Sequence, residues 1–153
     1  MHVNQTAEYA IRAMVQIARE HRSDLITARD LAVETNIPRD YLSKILRNLV
    51  EHSLLVSRKG HHGGFGLAQP PEAIRFYDVF LAVGLHPDLK HCAFGWDRCD
   101  NDRPCPLHRC WSRVNENFWD WSLETNLALC ADSDTDEIPL APPASPNESS
   151  ASS

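Results

Sequence analysis

The chain of 153 residues fits one ordinary domain, or one small domain with appendages, and is too short for two full enzyme domains. Hydrophobic residues at 42% and charged residues at 24% lie near the average for soluble globular proteins, which argues against a disordered or fibrous chain. The sequence lacks the long apolar run of a membrane helix, and its N-terminus lacks the pattern of a secretory signal. We therefore expect a cytoplasmic protein without a membrane segment.

Charge is distributed unevenly along the chain, although the net charge is only -6. Residues 131–153 contain no lysine or arginine and carry most of the negative charge, at Asp132, Asp134, Asp136, Glu137 and Glu148. Residues 39–66 have a surplus of three positive charges, because Arg39, Lys44, Arg47, Arg58 and Lys59 stand against Asp40 and Glu51. A local basic patch of this kind is typical of a nucleic-acid-binding surface, even on an acidic protein.

Three helices are predicted in the N-terminal third. The first covers residues 7–18, where apolar side chains recur at the three-and-four spacing of a helix with one buried face. The second begins at Thr27, where Asp30 completes an approximate capping box, and is about two turns long. Pro38 fits the first position of the third helix. The predicted inward-facing residues of that helix are Leu42, Ile45, Leu46, Leu49 and Val50.

A β-hairpin is predicted directly after the third helix. Residues 54–56 and 65–68 are mostly apolar and flank the basic, glycine-rich residues 57–64. Three helices with a short second member, followed by a hairpin, are typical of a winged helix-turn-helix. The fold class expected is therefore mainly α, a winged helix-turn-helix DNA-binding domain in residues 1–69 with a small β-hairpin wing.

Four further segments are predicted after the wing. Residues 70–85 form a connecting helix closed by Gly84, and residues 86–105 form a loop that carries cysteines. In residues 106–130 apolar side chains step alternately by four and three, which predicts a long dimerisation helix. The apolar stripe consists of Leu107, Trp111, Val114, Phe118, Trp121, Thr125 and Ala128. Residues 131–153 are predicted to be a disordered acidic Ser/Pro tail.

The third helix and the wing supply the candidate DNA-binding residues. A recognition helix reaches bases and phosphates with its N-terminal end and outward face. The candidates on this helix are Arg39, Tyr41, Ser43, Lys44 and Arg47. The candidates on the wing are Arg58, Lys59, His61 and His62, beside glycines that let the backbone approach a phosphate. A mixed charged face can also be merely solvated, and it is the combination with the basic wing that favours double-stranded DNA.

The cysteines indicate metal or redox chemistry. Five cysteines in a chain without an export signal do not suggest a disulfide framework. Cys92, Cys99 and Cys105 are followed by His108, and their spacing differs from the paired Cys-x-x-Cys pattern of most structural zinc sites. Three soft thiolates on a long loop suit an iron-sulfur cluster. A zinc site and metal-free reduced thiols remain alternatives, while Cys110 is a weaker ligand candidate and Cys130 is most simply a helix-end thiol.

Residues 1–130 resemble the NsrR/IscR-like family of iron-sulfur winged helix-turn-helix regulators. The resemblance is carried by residues 8–10 (Glu-Tyr-Ala) with Arg12 and Ala13, residues 41–46 (Tyr-Leu-Ser-Lys-Ile-Leu), residues 60–68 of the wing and the three-cysteine loop. It implies a homodimeric transcription factor, usually a repressor, that holds a two-iron or four-iron cluster with three cysteines and one variable ligand. It also implies that Glu8 is an alternative to His108 as the fourth ligand. The gap from Cys92 to Cys99 is one residue longer than the family's most typical spacing.

We therefore expect a DNA-binding regulator, not an enzyme, whose affinity for an operator is switched by an iron-sulfur cluster. The signal implied is nitric oxide, redox state or the supply of iron or clusters. Three alternatives stay open: a winged-helix protein with structural zinc or no metal, a small redox metalloprotein, and a winged-helix adaptor that binds protein. Absence of a nucleotide loop or a catalytic triad spacing disfavours the redox enzyme.

Overall fold

A computed structural model describes residues 3–20, 25–87 and 102–131 of the chain. Six α-helices and one hairpin lie in these ranges. The helices are α1 (Gln5–Glu20), α2 (Ala28–Thr35), α3 (Arg39–Glu51), α4 (Phe76–Ala82), α5 (His108–Glu124) and α6 (Leu127–Ala131). The strands are β1 (Leu55–Arg58) and β2 (Gly64–Leu67), and a short 3₁₀ helix covers Pro71–Ala73. The mainly helical winged-helix fold predicted from the sequence is confirmed.

Helix α1 is the centre of the hydrophobic core. It contacts α2, α3, α4 and α6, as well as strand β2. Its buried positions are Ala7, Ala10, Ala13, Met14, Val15, Ile17 and Ala18. Small alanine side chains on this face let the neighbouring helices approach closely, and Met14 and Ile17 fill the remaining space. Helices α2 and α3 therefore rest on a helix whose inner face is buried.

The turn between α2 and α3 is defined by local chemistry. Thr27 caps α2, because its Oγ1 accepts a hydrogen bond from the Asp30 backbone N–H at 3.2 Å. The helix ends at Thr35, and the C-cap residue Asn36 has a φ of 52°, in the left-handed region that asparagine tolerates. Pro38 precedes α3 as its N-cap residue, one position earlier than the first helical position expected from the sequence. This short turn sets α3 against α2, the arrangement of a helix-turn-helix.

The wing is an antiparallel hairpin with a third backbone segment attached. Leu55 pairs with Leu67 and Arg58 pairs with Gly64, so both strands extend into residues 57–64, which the sequence assigns to the turn. Ile26 adds to the other edge of β2 through two backbone hydrogen bonds with Phe65, at 2.8 and 3.1 Å. This second pairing fixes the wing to the segment that precedes α2.

Segment 106–130 forms two helices rather than the single long helix expected. Helix α5 ends at Glu124, and α6 begins at Leu127 after a bend that pairs with the segment before α4. The Phe76 N–H donates to the Thr125 carbonyl, and the Leu127 N–H donates to the Ile74 carbonyl. These bonds return the chain to the N-terminal helices, where α6 packs against α1. The heptad positions Thr125 and Ala128 therefore lie outside the long helix.

Helix α5 also buries a face other than the predicted stripe. Within this chain its buried residues are Asn115, Trp119 and Ser122, which follow a four-and-three spacing of their own. Trp119 packs edge to face on Tyr77 and Phe80 of α4. The stripe positions Leu107, Val114 and Trp121 stay exposed. Phe118 and Trp121 of the stripe also contact α4, so the face toward the core overlaps in part with the face available to a partner.

Several predicted features fall outside the described ranges. They are Cys92, Cys99, most of the loop 86–105 and the tail after residue 131. In the part of the chain that the structure describes, none of the helices has the length and apolar character needed to cross a bilayer.

Candidate nucleic-acid interface and cysteine site

The outward face of α3 presents the residues expected to contact DNA. All of the predicted helix residues are exposed, namely Arg39, Tyr41, Ser43, Lys44 and Arg47. The opposite face is anchored by Leu42, Ile45, Leu46 and Leu49, so the charged face cannot turn inward. The hydroxyl of Ser43 donates to the Arg39 carbonyl at 2.9 Å, which keeps its side chain against the helix. The four other side chains are the long polar groups that this face presents to solvent.

Tyr41 at the start of α3 is supported by α1. Its ring meets the ring of Tyr9 edge to face, with centroids 5.8 Å apart. The Gln5 side-chain amide donates to the Tyr9 hydroxyl at 2.9 Å, and the Arg12 guanidinium lies over the Tyr9 ring, 5.5 Å from its centroid. Tyr9 thus links α1 to the recognition helix, a role that the sequence alone does not indicate.

Arg12 connects α1 to the helix-turn-helix through three contacts. Its Nη2 lies 2.6 Å from Glu8 Oε1, and its Nη1 donates to the Thr35 carbonyl at 3.4 Å, while its guanidinium covers Tyr9. The side chain of Arg12 is 14% exposed and that of Glu8 is 54% exposed. The four-residue spacing of Glu8 and Arg12 predicts the ion pair. The contact with Thr35 at the end of α2 could not be seen in the sequence.

The wing carries its predicted basic residues at an exposed tip. Arg58, Lys59, His61 and His62 are all exposed, and the two imidazole rings lie 6.0 Å apart. Gly60 has a φ of +107°, a conformation that favours glycine in this tight turn. At Gly64 a Cβ atom would lie 2.5 Å from the Ile26 carbonyl oxygen, so glycine is required where the third backbone segment joins. These glycines shape a narrow turn with four cationic or protonatable side chains.

The cysteine site is described only in its C-terminal part. Cys105 is half-buried, and its carbonyl accepts a hydrogen bond from the His108 N–H at 3.0 Å in the turn that begins α5. Cys92 and Cys99 lie outside the described residues, and the ranges that are described contain no group of three potential metal ligands. A thiolate and an imidazole on one turn are donors that both iron and zinc accept. This part of the donor set therefore fits either metal.

The two additional cysteines differ in environment. Cys110 is exposed on α5, whereas Cys130 is half-buried on α6 and packs against the core. Burial raises the pKa of the Cys130 thiol, and the positive charge of Arg19 partly offsets this rise. Cys130 is therefore held as a neutral thiol at physiological pH.

Helix-turn-helix geometry, an exposed basic recognition helix and a basic wing together define a winged-helix DNA-binding protein. A family model described as "Rrf2: Iron-dependent Transcriptional regulator" matches residues 3–131. The chain belongs to the Rrf2 family of transcriptional regulators, whose members are DNA-binding regulators and not enzymes.

Individual relatives agree with this assignment. A chain of Aquifex aeolicus described as an HTH-type transcriptional regulator is 28% identical over 126 residues, covering 81% of this chain and 87% of its own length. The regulator IscR of Erwinia tasmaniensis is 26% identical over 128 residues, covering 84% of this chain and 77% of its own. The structure of CymR, the global cysteine regulator of B. subtilis, has a TM-score of 0.74 at 19% identity and covers 88% of this chain and 99% of that one. The last similarity supports the fold alone.

Proposed function

We propose that this Rrf2 regulator is a homodimeric repressor whose affinity for a DNA operator is set by an iron-sulfur cluster. The observation that carries the proposal is the turn at the start of α5, where the His108 backbone N–H donates to the Cys105 carbonyl at the end of the cysteine loop. Helix α5 also carries the exposed apolar stripe of the predicted dimer. A ligand bound at this turn would therefore act directly on the helix that sets the spacing of two recognition helices.

The proposed DNA interface consists of the α3 face and the wing tip. Arg39, Tyr41, Lys44 and Arg47 would enter the major groove, with Ser43 close to the helix backbone. The wing would contact the phosphate backbone of the DNA or the adjacent minor groove through Arg58, Lys59, His61 and His62. Both sets are exposed and project from elements that are anchored to the core, which is the rigid placement that groove recognition needs.

The proposed cluster ligands are Cys92, Cys99 and Cys105, with His108 or Glu8 as the fourth. A bound cluster would supply a reactive iron position that a diatomic gas or an oxidant can attack at its weakest ligand. His108 is favoured by its position one turn from Cys105. Glu8 is engaged by Arg12 at 2.6 Å, so its carboxylate would have to exchange an arginine partner for iron. Two-iron and four-iron clusters are both compatible with this donor set.

Homodimerisation is proposed through residues 106–130, with α5 as the principal contact. Leu107, Val114 and Trp121 are spaced by seven residues and remain exposed in the single chain. Two such stripes would cover each other in a symmetric dimer. Cluster binding and DNA binding are then linked, because each favours a particular separation of the two recognition helices.

Anaerobic purification tests the cluster directly. The visible absorbance spectrum should show sulfide-to-iron charge transfer, and the chain should contain iron and acid-labile sulfide in matching amounts. Cys92→Ser, Cys99→Ser and Cys105→Ser should each lose the absorbance, whereas Cys110→Ser and Cys130→Ser should keep it. Stoichiometric zinc without sulfide would favour the structural-zinc alternative instead.

His108→Ala and Glu8→Gln distinguish the two candidates for the fourth ligand. The variant that lacks the true ligand should retain sulfide but show a shifted spectrum and faster loss of the cluster in air. The other variant should match the wild-type spectrum. If both variants were unchanged, neither residue would be the fourth ligand.

DNA binding is tested by selection from a random duplex library, with and without the cluster. Lys44→Ala and Arg58→Ala should weaken binding and lower the slope of log K against log salt by about one unit for each phosphate that the variant no longer neutralises. Glu51→Gln is a matched control on α3. Like Lys44→Ala it changes the charge of the helix by one unit, but it removes no hydrogen-bond donor. Retention no stronger than that of a control acidic protein would contradict the proposal.

A further inference from the structure

The chain contains an acidic segment after α6 and a basic wing tip. Neither the fold nor the proposed cluster gives a reason for the acidic segment. Residues 132–137 contain four carboxylates, Asp132, Asp134, Asp136 and Glu137, and no lysine or arginine occurs from residue 132 to residue 153. The wing tip presents Arg58 and Lys59 with His61 and His62, all exposed. We propose that residues 132–137, the acidic run, bind the wing of the regulator and compete there with DNA.

The acidic run begins next to the C-terminal end of α1. It follows α6 directly, and α6 packs on α1 with Cys130 near enough to Arg19 for the arginine charge to affect the thiol. Arg19 is the penultimate residue of α1. Ile26, six residues beyond the end of α1, is hydrogen-bonded to Phe65 in strand β2 of the wing. The chain therefore continues from this end of α1 to the base of the wing.

The length of the run limits the surfaces that it can reach. Six residues span at most about 20 Å when fully extended. Strand β2 also contacts α1, so the wing is attached to the helix on which α6 lies. The run is joined covalently to the protein, and this attachment raises its local concentration at the wing far above that of a free peptide.

The acidic run and the wing are complementary in charge, as DNA and the wing are. A carboxylate, like a phosphate oxygen, accepts hydrogen bonds from arginine and lysine. Each exposed charge pair is weak and screened by salt, so the run would act as a modest competitor and not as a permanent block. It would lower non-specific binding more than operator binding, because non-specific affinity depends almost entirely on phosphate contacts.

The inference rests on the proposed DNA-binding function, and truncation tests it. A chain that ends at Ala131 should bind a fluorescent random-sequence duplex about three to ten times more tightly than the full chain at low salt. The difference should fall below about twofold at about 0.3 M salt, where exposed charges are screened. The quadruple variant D132N/D134N/D136N/E137Q should behave like the truncated chain. A chain that ends at Ile138 keeps the acidic run and is the matched control, with an affinity like that of the full chain.

Two further measurements separate contact with the wing from general repulsion of DNA. In an R58Q/K59Q background truncation should give less than half of the original gain in affinity, whereas simple repulsion would leave the gain unchanged. The NMR signals of the His61 and His62 rings should shift when residues 132–153 are removed, in the absence of DNA. Unshifted signals, or equal affinity of the full and truncated chains, would overturn the contact. If no form of the chain bound the duplex, the proposed DNA-binding function itself would be wrong.

Discussion

The ring of Tyr9 on α1 supports the ring of Tyr41 on α3 in an edge-to-face contact with centroids 5.8 Å apart. Tyr41 lies in the first turn of the recognition helix, so this contact helps to hold the part of α3 that is proposed to enter the major groove. Arg12 and Gln5 hold Tyr9 in turn. The position of the recognition helix therefore depends on a polar and aromatic contact as well as on the apolar core.

Tyr9→Ala should loosen this end of the recognition helix. The aromatic pair is worth about 0.5–1.5 kcal/mol beyond the area that it buries. We expect the free energy of unfolding to fall by about 1–3 kcal/mol, measured by denaturant titration, together with weaker DNA binding. Tyr9→Phe keeps the ring and removes only the hydroxyl that accepts from Gln5, so it should cost less than about 1 kcal/mol. Equal effects of the two variants would contradict a role for the ring contact.

Arg12 should matter more for stability than its ion-pair partner. Arg12→Ala removes the interactions with Glu8, with the Thr35 carbonyl and with the Tyr9 ring. We expect the free energy of unfolding to fall by about 1–2 kcal/mol, whereas Glu8→Gln should cost under about 1 kcal/mol because Glu8 is largely exposed. Arg12→Lys keeps the charge but not the planar guanidinium, and should give an intermediate value. A larger effect for Glu8→Gln than for Arg12→Ala would contradict this order.

Trp119 contains a buried donor that finds no acceptor among the described residues, its Nε1–H. An unsatisfied buried donor costs about 1–3 kcal/mol, which offsets part of what the ring gains by packing. In Trp119→Phe the smaller ring loses packing, which destabilises the fold, but the unsatisfied N–H is also removed, which stabilises it. The free energy of unfolding should therefore change by less than about 1.5 kcal/mol. Trp119→Ala should cost about 3–5 kcal/mol, because the cavity would not be refilled. Similar losses of stability in both variants would show that the indole N–H is not a penalty.

Cys130 should react slowly with thiol reagents at neutral pH. Because burial raises the pKa of this thiol above its ordinary value, its thiolate forms only in alkaline solution. Alkylation at a series of pH values, followed by peptide mass spectrometry, should give a higher midpoint for Cys130 than for the exposed Cys110 in the same sample. Equal midpoints for the two thiols would contradict the effect of burial.

The same raised pKa predicts the sign of a pH effect on stability. The folded state holds the thiol proton more tightly than the unfolded state, so this stabilisation is complete below the unfolded pKa and is lost as the pH rises through the folded pKa. Cys130→Ser should remove that alkaline decrease in the free energy of unfolding. Persistence of the full decrease in Cys130→Ser would assign it to another group.

The N-terminal half of the fold follows closely from local sequence signals. Thr27 with Asp30 caps α2, and the glycine-rich turn between two apolar segments forms the wing. These features depend on neighbours within a few residues, so their chemistry can be read directly from the sequence. The contact from Arg12 to Thr35 and the ring pair of Tyr9 with Tyr41 could not be predicted, because they depend on how α1 crosses the other helices.

The C-terminal half was predicted less accurately for a physical reason. The four-and-three spacing of the stripe continues through Thr125 and Ala128, so the spacing gives no sign of an interruption. The bend is stabilised by backbone hydrogen bonds to Ile74 and Phe76, which are distant in sequence. Phe118 similarly stacks on Phe80 of its own chain, with centroids 5.5 Å apart, so part of the predicted stripe serves the internal core.

Val114→Glu is the sharpest test of the dimer, because Val114 is 52% exposed and lies in the middle of the exposed stripe. A variant at Phe118 would disturb the stack on Phe80, and one at Trp121 would disturb the contact with Phe76. A charge at Val114 faces solvent in the monomer but would be buried without a partner in a symmetric interface, a change that costs several kcal/mol.

Sedimentation velocity should therefore show a monomer that remains folded by circular dichroism. Asn117→Glu, at an exposed α5 position outside the stripe, is the matched control and should remain dimeric. Because two half-sites bound by one dimer reinforce each other, the Val114→Glu monomer should also bind an operator at least about tenfold more weakly. A Val114→Glu chain that sediments as an unchanged dimer would exclude this face of α5 as the interface.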